Sequence, residues 1–89
     1  MISKQVTIIN KLGLHARAAA KFVGCTSSFS SAVRAGVNGE MVDGKSIMSV
    51  MMLAASCGTT LDLEIDGEDE DAAFAAIEAL IANRFDEPD

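Results

Sequence analysis

The chain has no tryptophan, no tyrosine, one proline, one histidine and two cysteines. Each shortage closes off a class of function. A small αβ domain that binds RNA stacks bases on exposed aromatic rings and offers phosphate a basic surface. Here four phenylalanines are the only aromatics and the net charge is −6, so nucleic acid is excluded as a partner. Cys25 and Cys57 form no C-x-x-C pair, which argues against a disulfide or a zinc site; both are read as small buried thiols. One histidine cannot assemble a metal-ligand cluster or a Ser-His-Asp arrangement with its neighbours, and no metal or other cofactor is expected. Long hydrophobic runs are also missing. The longest uncharged stretch, residues 46–61, is interrupted by Ser49, Ser56, Gly58, Thr59 and Thr60 and is too short and polar to span a bilayer. The opening MISKQVTIIN lacks the basic start and apolar block of a secretion signal. The expectation is a cytoplasmic protein without a membrane partner.

What is present is enough for a core. Apolar residues make up 49 % of 89, which predicts one globular domain over residues 1–89. Charge is unevenly spread. Residues 62–71 hold seven of the thirteen acids, while residues 1–39 hold none and carry Lys4, Lys11, Arg17, Lys21 and Arg34. The first half can therefore offer a positive patch to phosphate or an acidic partner.

Periodicity gives the elements. Residues 2–9 read as a strand with Ile2, Val6 and Ile8 on one face and Ser3, Gln5 and Thr7 on the other; Lys4 breaks the pattern. Asn10 to Gly13 is a turn, and the alanine-rich residues 16–27 form a helix. Asn38-Gly39, between two short apolar runs, marks a hairpin because both residues tolerate positive φ. Residues 46–55 read as a second helix with Ser46 as N-cap. Residues 60–66 alternate Leu61, Leu63 and Ile65 with Asp62, Glu64 and Asp66, as a half-buried strand does. A last helix opens in the acidic run 68–71 and aligns Ala73, Phe74, Ile77, Leu80 and Ile81. Residues 86–89 are read as a frayed acidic tail. The order βαββαβα predicts an α+β layer, one antiparallel sheet with helices on one face.

Residues 39–46, GEMVDGKS, satisfy the nucleotide phosphate-loop pattern G-x-x-x-x-G-K-S. Their context does not. Glu40 to Asp43 alternate after a hairpin turn, so they pair as a strand and cannot curl their amides round one phosphate, and two acids would repel the anion. Ser46 keeps two readings, a helix cap and a phosphorylatable hydroxyl; about two added negative charges at a helix start are electrostatically tolerated.

His15 lies where the turn passes into the first helix, two residues before Arg17. Free amides of a first helical turn favour anions, and a guanidinium matches phosphate geometry. An imidazole nucleophile, the backbone donors of Ala16 and Arg17 and the Arg17 fork can converge on one phosphoryl group. No second acid or base stands nearby in sequence, which suits a carrier whose chemistry is completed by partners.

GLHARAAAKF, DGKSIMSVMMLAA and NRF together resemble the HPr family, the histidine-containing phosphocarriers of the bacterial phosphotransferase system. The resemblance implies an open-faced sandwich with strand order 1-4-2-3 under three helices. It implies phosphorylation of His15 on Nδ1 by enzyme I from phosphoenolpyruvate, transfer to an enzyme IIA component, and stabilisation of the phosphate by Arg17. It further implies a monomer, and Ser46 as the target of an HPr kinase/phosphorylase. The family usually carries proline after the arginine, where Ala18 stands here. MMLAA and NRF look more like proteobacterial and nitrogen-branch (NPr) members than sugar-dedicated ones. Ile47, Met48, Met51 and Met52 either pack in the core or form an adaptable apolar patch; the resemblance places partner contacts at Ile47, Met48 and Met51, with Ala20 on the first helix.

Overall fold

The computed structural model describes residues 1–87, in the order β1 (Ile2–Thr7), α1 (Ala16–Thr26), β2 (Ala32–Val37), β3 (Glu40–Asp43), α2 (Ile47–Met52), β4 (Thr60–Asp66) and α3 (Glu70–Ala82). The four strands form one antiparallel sheet in the order β1-β4-β2-β3. The fold is an open-faced α+β sandwich. β4 lies inside the sheet, and its strict alternation explains why: Leu61, Leu63 and Ile65 are buried, while the acids between them face the other side. The core gathers these residues with Ile8 and Val33 from the sheet side, Phe22 from α1, Val50 from α2, and Ile77 and Ile81 from α3.

The hairpin joining β2 to β3 turns at Asn38 (φ 55) and Gly39 (φ 84), the left-handed pair expected of that dipeptide. Val37 pairs with Glu40 and Arg34 with Asp43, so the middle of the GEMVDGKS stretch is ladder strand. Lys45 Nζ donates to the Phe29 carbonyl at 2.8 Å. The segment has neither the arc nor the free lysine that a nucleotide phosphate loop requires.

Several boundaries differ from expectation for identifiable reasons. β1 ends at Thr7, and Ile8 continues as a buried connection that exchanges hydrogen bonds with the chain before β4: its amide donates to Thr59 O at 2.9 Å and its carbonyl accepts from Gly58 N at 2.7 Å. α2 stops at Met52 because Ala54 turns into the left-handed region (φ 52) and the Ala55 carbonyl swings round to accept the Leu14 amide at 2.8 Å. α3 starts at Glu70, inside the acidic run where it was expected, while its N-cap Asp69 turns its carboxylate onto Ser30 and Ser31. Cys57 is exposed, contrary to the reading of two buried thiols, since it occupies the turn before β4; Cys25 is half-buried, and burial raises its thiol pKa.

The largest difference lies after α3. Arg84 (φ 55), Phe85 (φ 53) and Asp86 (φ 61) form a left-handed turn that drives the Phe85 ring into the core, fully buried. Such a turn costs about 1–2 kcal/mol per non-glycine residue, and burying an aromatic ring of this size offsets it. Asp86 accepts from Lys21 Nζ at 3.2 Å and from Asn83 Nδ2 at 2.6 Å. Asp86 and Glu87 are thus tied down where fraying was expected; residues 88 and 89 of that stretch lie outside the described residues. No helix among the described residues is long and apolar enough to cross a membrane.

Candidate functional site

α1 gives the site its platform. His15 is its N-cap, with extended backbone (φ −72, ψ 179) and no side-chain cap bond. The first intrahelical bond runs from Ala19 N to His15 O at 2.8 Å, so the amides of Ala16, Arg17 and Ala18 precede it. They are the donors expected to meet an anion. Ala18 and Ala19 are buried and hold the first turn against the core, while Ala16 and Arg17 stay exposed. The turn before His15 is fixed from two sides. Gly13 N donates to Asn10 O at 3.2 Å, and Leu14, itself buried, donates to Ala55 O.

The His15 side chain is 29 % exposed. Its Nδ1 takes no hydrogen bond among the described residues, and its Nε2 meets Glu87 Oε2. The other Glu87 oxygen accepts from Asn10 Nδ2 at 3.0 Å, and the same Asn10 amide donates to Gly13 O at 2.8 Å. Burial alone would raise the Glu87 pKa. The hydrogen bonds from Asn10 and His15, with the charges of His15 and Arg17, outweigh it and hold the carboxyl below its usual range. The electropositive end expected from the acid-free first half is therefore partly neutralised: Lys21 pairs with Asp86, and Glu87 sits on the histidine.

His15, Ala16 and Arg17 share the start of α1, as expected from the sequence, whose local patterns do not bring Glu87 to the histidine or Asn10 to Glu87. Glu87 is 72 residues from His15 in the chain, and its acidic surroundings read as solvated tail. The one signal was Phe85, a large apolar residue planted in that tail. Asn10 was legible only as a turn residue, although it is fully buried.

Ser46 lies apart from this cluster, at the start of α2. Its Oγ accepts from Ser49 N at 3.3 Å, the expected N-cap bond. Of the residues in α2 only Val50 is buried; Ile47 (43 % exposed), Met48 (69 %), Met51 (37 %) and Met52 (79 %) face outward. That decides between core packing and surface patch in favour of the patch. α1 packs against α2, and Leu12, 67 % exposed, stands in the turn before His15. Ala20 is exposed on α1. The described residues contain no group of three metal-ligating side chains.

Three comparisons relate the chain to known proteins. The family described as "PTS HPr component phosphorylation site" matches residues 2–83. The phosphocarrier protein HPr of Pseudomonas aeruginosa is 61 % identical over 88 residues, 98 % of each chain, and that of Cupriavidus necator is 58 % identical over 87 residues, also 98 % of each. Among solved structures, HPr-C-His from Thermoanaerobacter tengcongensis superposes with a TM-score of 0.94 at 41 % identity, covering 98 % of both chains. HPr from Bacillus anthracis gives 0.86 at 34 %, covering 90 % of this chain and 95 % of the other.

Proposed function

We propose, since this chain belongs to the HPr family of phosphotransferase-system phosphocarriers, that it takes a phosphoryl group from phosphoenolpyruvate through enzyme I onto His15 Nδ1 and hands it to an enzyme IIA component. The observation that carries the reading is the accessible His15 ring at the start of α1, with the Ala16 and Arg17 amides in the same first turn and Arg17 exposed two residues on. Neutral imidazole attacks phosphorus, and the helix end and guanidinium then hold the three phosphoryl oxygens. The hold must stay moderate, because a carrier that binds its cargo too tightly cannot release it. In this reading the chain acts as one monomeric domain in the cytoplasm. It is the covalent intermediate of a relay and no catalyst of its own.

Partners dock on the apolar surface of Ile47, Met48 and Met51, with Ala20 from the neighbouring helix; thioether side chains adapt to several surfaces. Ser46 is a regulatory site in this reading. A phosphate on it adds up to two negative charges at the edge of that surface and slows loading of His15 by repelling an acidic partner.

Incubation with enzyme I and labelled phosphoenolpyruvate tests the central step. The wild type is expected to take up one acid-labile, base-stable phosphate and His15→Ala none. Equal labelling of the variant would overturn the reading. Equal loading rates for the wild type and Ser46→Asp would count against the regulatory role.

A further inference from the structure

The contact between Glu87 and His15 is not explained by the helix-end site alone. An ionised carboxylate only accepts hydrogen bonds, and Glu87 is ionised at neutral pH because its carboxyl is held below the usual range. The ring nitrogen it meets, Nε2, must therefore carry the proton. In the neutral ring the lone pair is then on Nδ1, which takes no hydrogen bond among the described residues.

The carboxylate is itself aimed. Asn10, fully buried, spends both amide protons, one on Glu87 Oε1 and one on Gly13 O, and its own Oδ1 has no partner among the described residues. Flipping the amide would set Oδ1 against two other acceptors, so this orientation is required. An unpaired buried carbonyl is costly, and the fold accepts it to keep both donors in place. The segment is anchored from the other side by the buried Phe85 and by the Lys21–Asp86 pair. A base oriented by a second group, which is oriented by a third, is the arrangement of an activated nucleophile.

We propose that Glu87 is a positioning residue for phosphoryl transfer: its carboxylate, held by Asn10, fixes His15 as the Nε2–H tautomer with the Nδ1 lone pair available to phosphorus. The proposal rests on the phosphocarrier reading. In the step it describes, the Nδ1 lone pair forms the new N–P bond. The bond from phosphorus to the donor, phosphorylated enzyme I, breaks with its electrons leaving on the donor. The Nε2 proton stays on the ring, and the positive charge the ring gains is met by the Glu87 carboxylate.

Two variants and two readouts decide it. Glutamine at position 87 keeps an oxygen that accepts from Nε2–H, and alanine removes it. Nitrogen-15 NMR of the neutral imidazole is expected to show the Nε2–H tautomer dominating in the wild type and in Glu87→Gln, and a shift toward the Nδ1–H tautomer in Glu87→Ala. Loading by enzyme I and phosphoenolpyruvate is expected to slow about 10–100-fold in Glu87→Ala, the scale seen when the outer partner of a ligating histidine is removed, with most of the rate recovered in Glu87→Gln. An unchanged tautomer, an unchanged rate or a faster rate in Glu87→Ala would overturn the proposal. A wild type that takes no phosphate on His15 would instead sink the phosphocarrier reading, and this role with it, even where the tautomer result stands.

Discussion

Asp69, just before α3, accepts hydrogen bonds from the amide and the hydroxyl of Ser31, at the foot of β2, across 38 residues of sequence. Its second oxygen takes the Ser30 amide at 2.9 Å and the Ser30 hydroxyl at 3.3 Å. The Ser31 side-chain bond is the largest influence on the carboxyl, with the Ser30 amide next, and they lower its pKa to about 2.

A pH dependence follows from the sign of that shift. The folded value lies below the roughly 3.9 of an unfolded aspartate, so the stabilisation is fully present above pH ~4 and is lost as pH falls toward 2. Thermal melts should show the wild type losing stability through that window. Asp69→Ala should be less stable at neutral pH and have a flatter profile below pH 4. Parallel profiles would show that Asp69 does not carry the effect.

Gly13 has φ 67, and a Cβ there would press on the Ala55 carbonyl and come within 2.8 Å of Ser56 Cα. Gly13→Ala should cost more than about 1 kcal/mol in denaturant unfolding, because both the backbone and its neighbours resist. It should also slow loading of His15, which stands two residues on. Wild-type values for both would mean that the turn can relax.

Phe85→Ala should destabilise by about 3–5 kcal/mol, the usual loss for a buried phenylalanine. It also removes the anchor of the left-handed turn, so NMR should show the Glu87–His15 contact weakening together with stability. Loss of stability with that contact intact would mean that Lys21–Asp86 and Asn10 suffice to hold the segment.

Ser46→Ala removes the cap from a helix anchored by Val50 alone and should cost about 1 kcal/mol, read as faster amide exchange in α2. Ser46→Asp, another good cap, should keep α2 close to wild type. An equal loss in both would mean that the Ser49 amide bond matters less than the hydroxyl itself.

Much of the fold was legible because its signals are local. The alternation of Thr60–Asp66, the Asn38-Gly39 turn and the alanine-rich α1 are each decided within a few residues. The placing of His15 and Arg17 was legible for the same reason, since one helix start holds both. The parts that were hidden depend on distant partners. Asp69 looked like one acid of a helix-opening run until Ser31 was placed beside it. Glu87 looked like solvated tail until the ring of Phe85 pulled its segment inward. The length of α2 depended on where the Leu14 amide needed an acceptor, which no local pattern in residues 46–55 reveals.

The side of the sheet that no helix covers carries cross-strand polar pairs instead of an apolar stripe. Gln5 Nε2 donates to Asp62 opposite it at 2.7 Å, and Arg34 reaches Glu64 opposite it at 3.1 Å. Stacking a second sheet on this wall would strip water from charges that gain nothing in return. The exposed Lys4 on edge strand β1 likewise discourages another chain from lengthening the sheet. One flank of the protein thereby stays permanently wet, and crowding alone will not glue its copies together there.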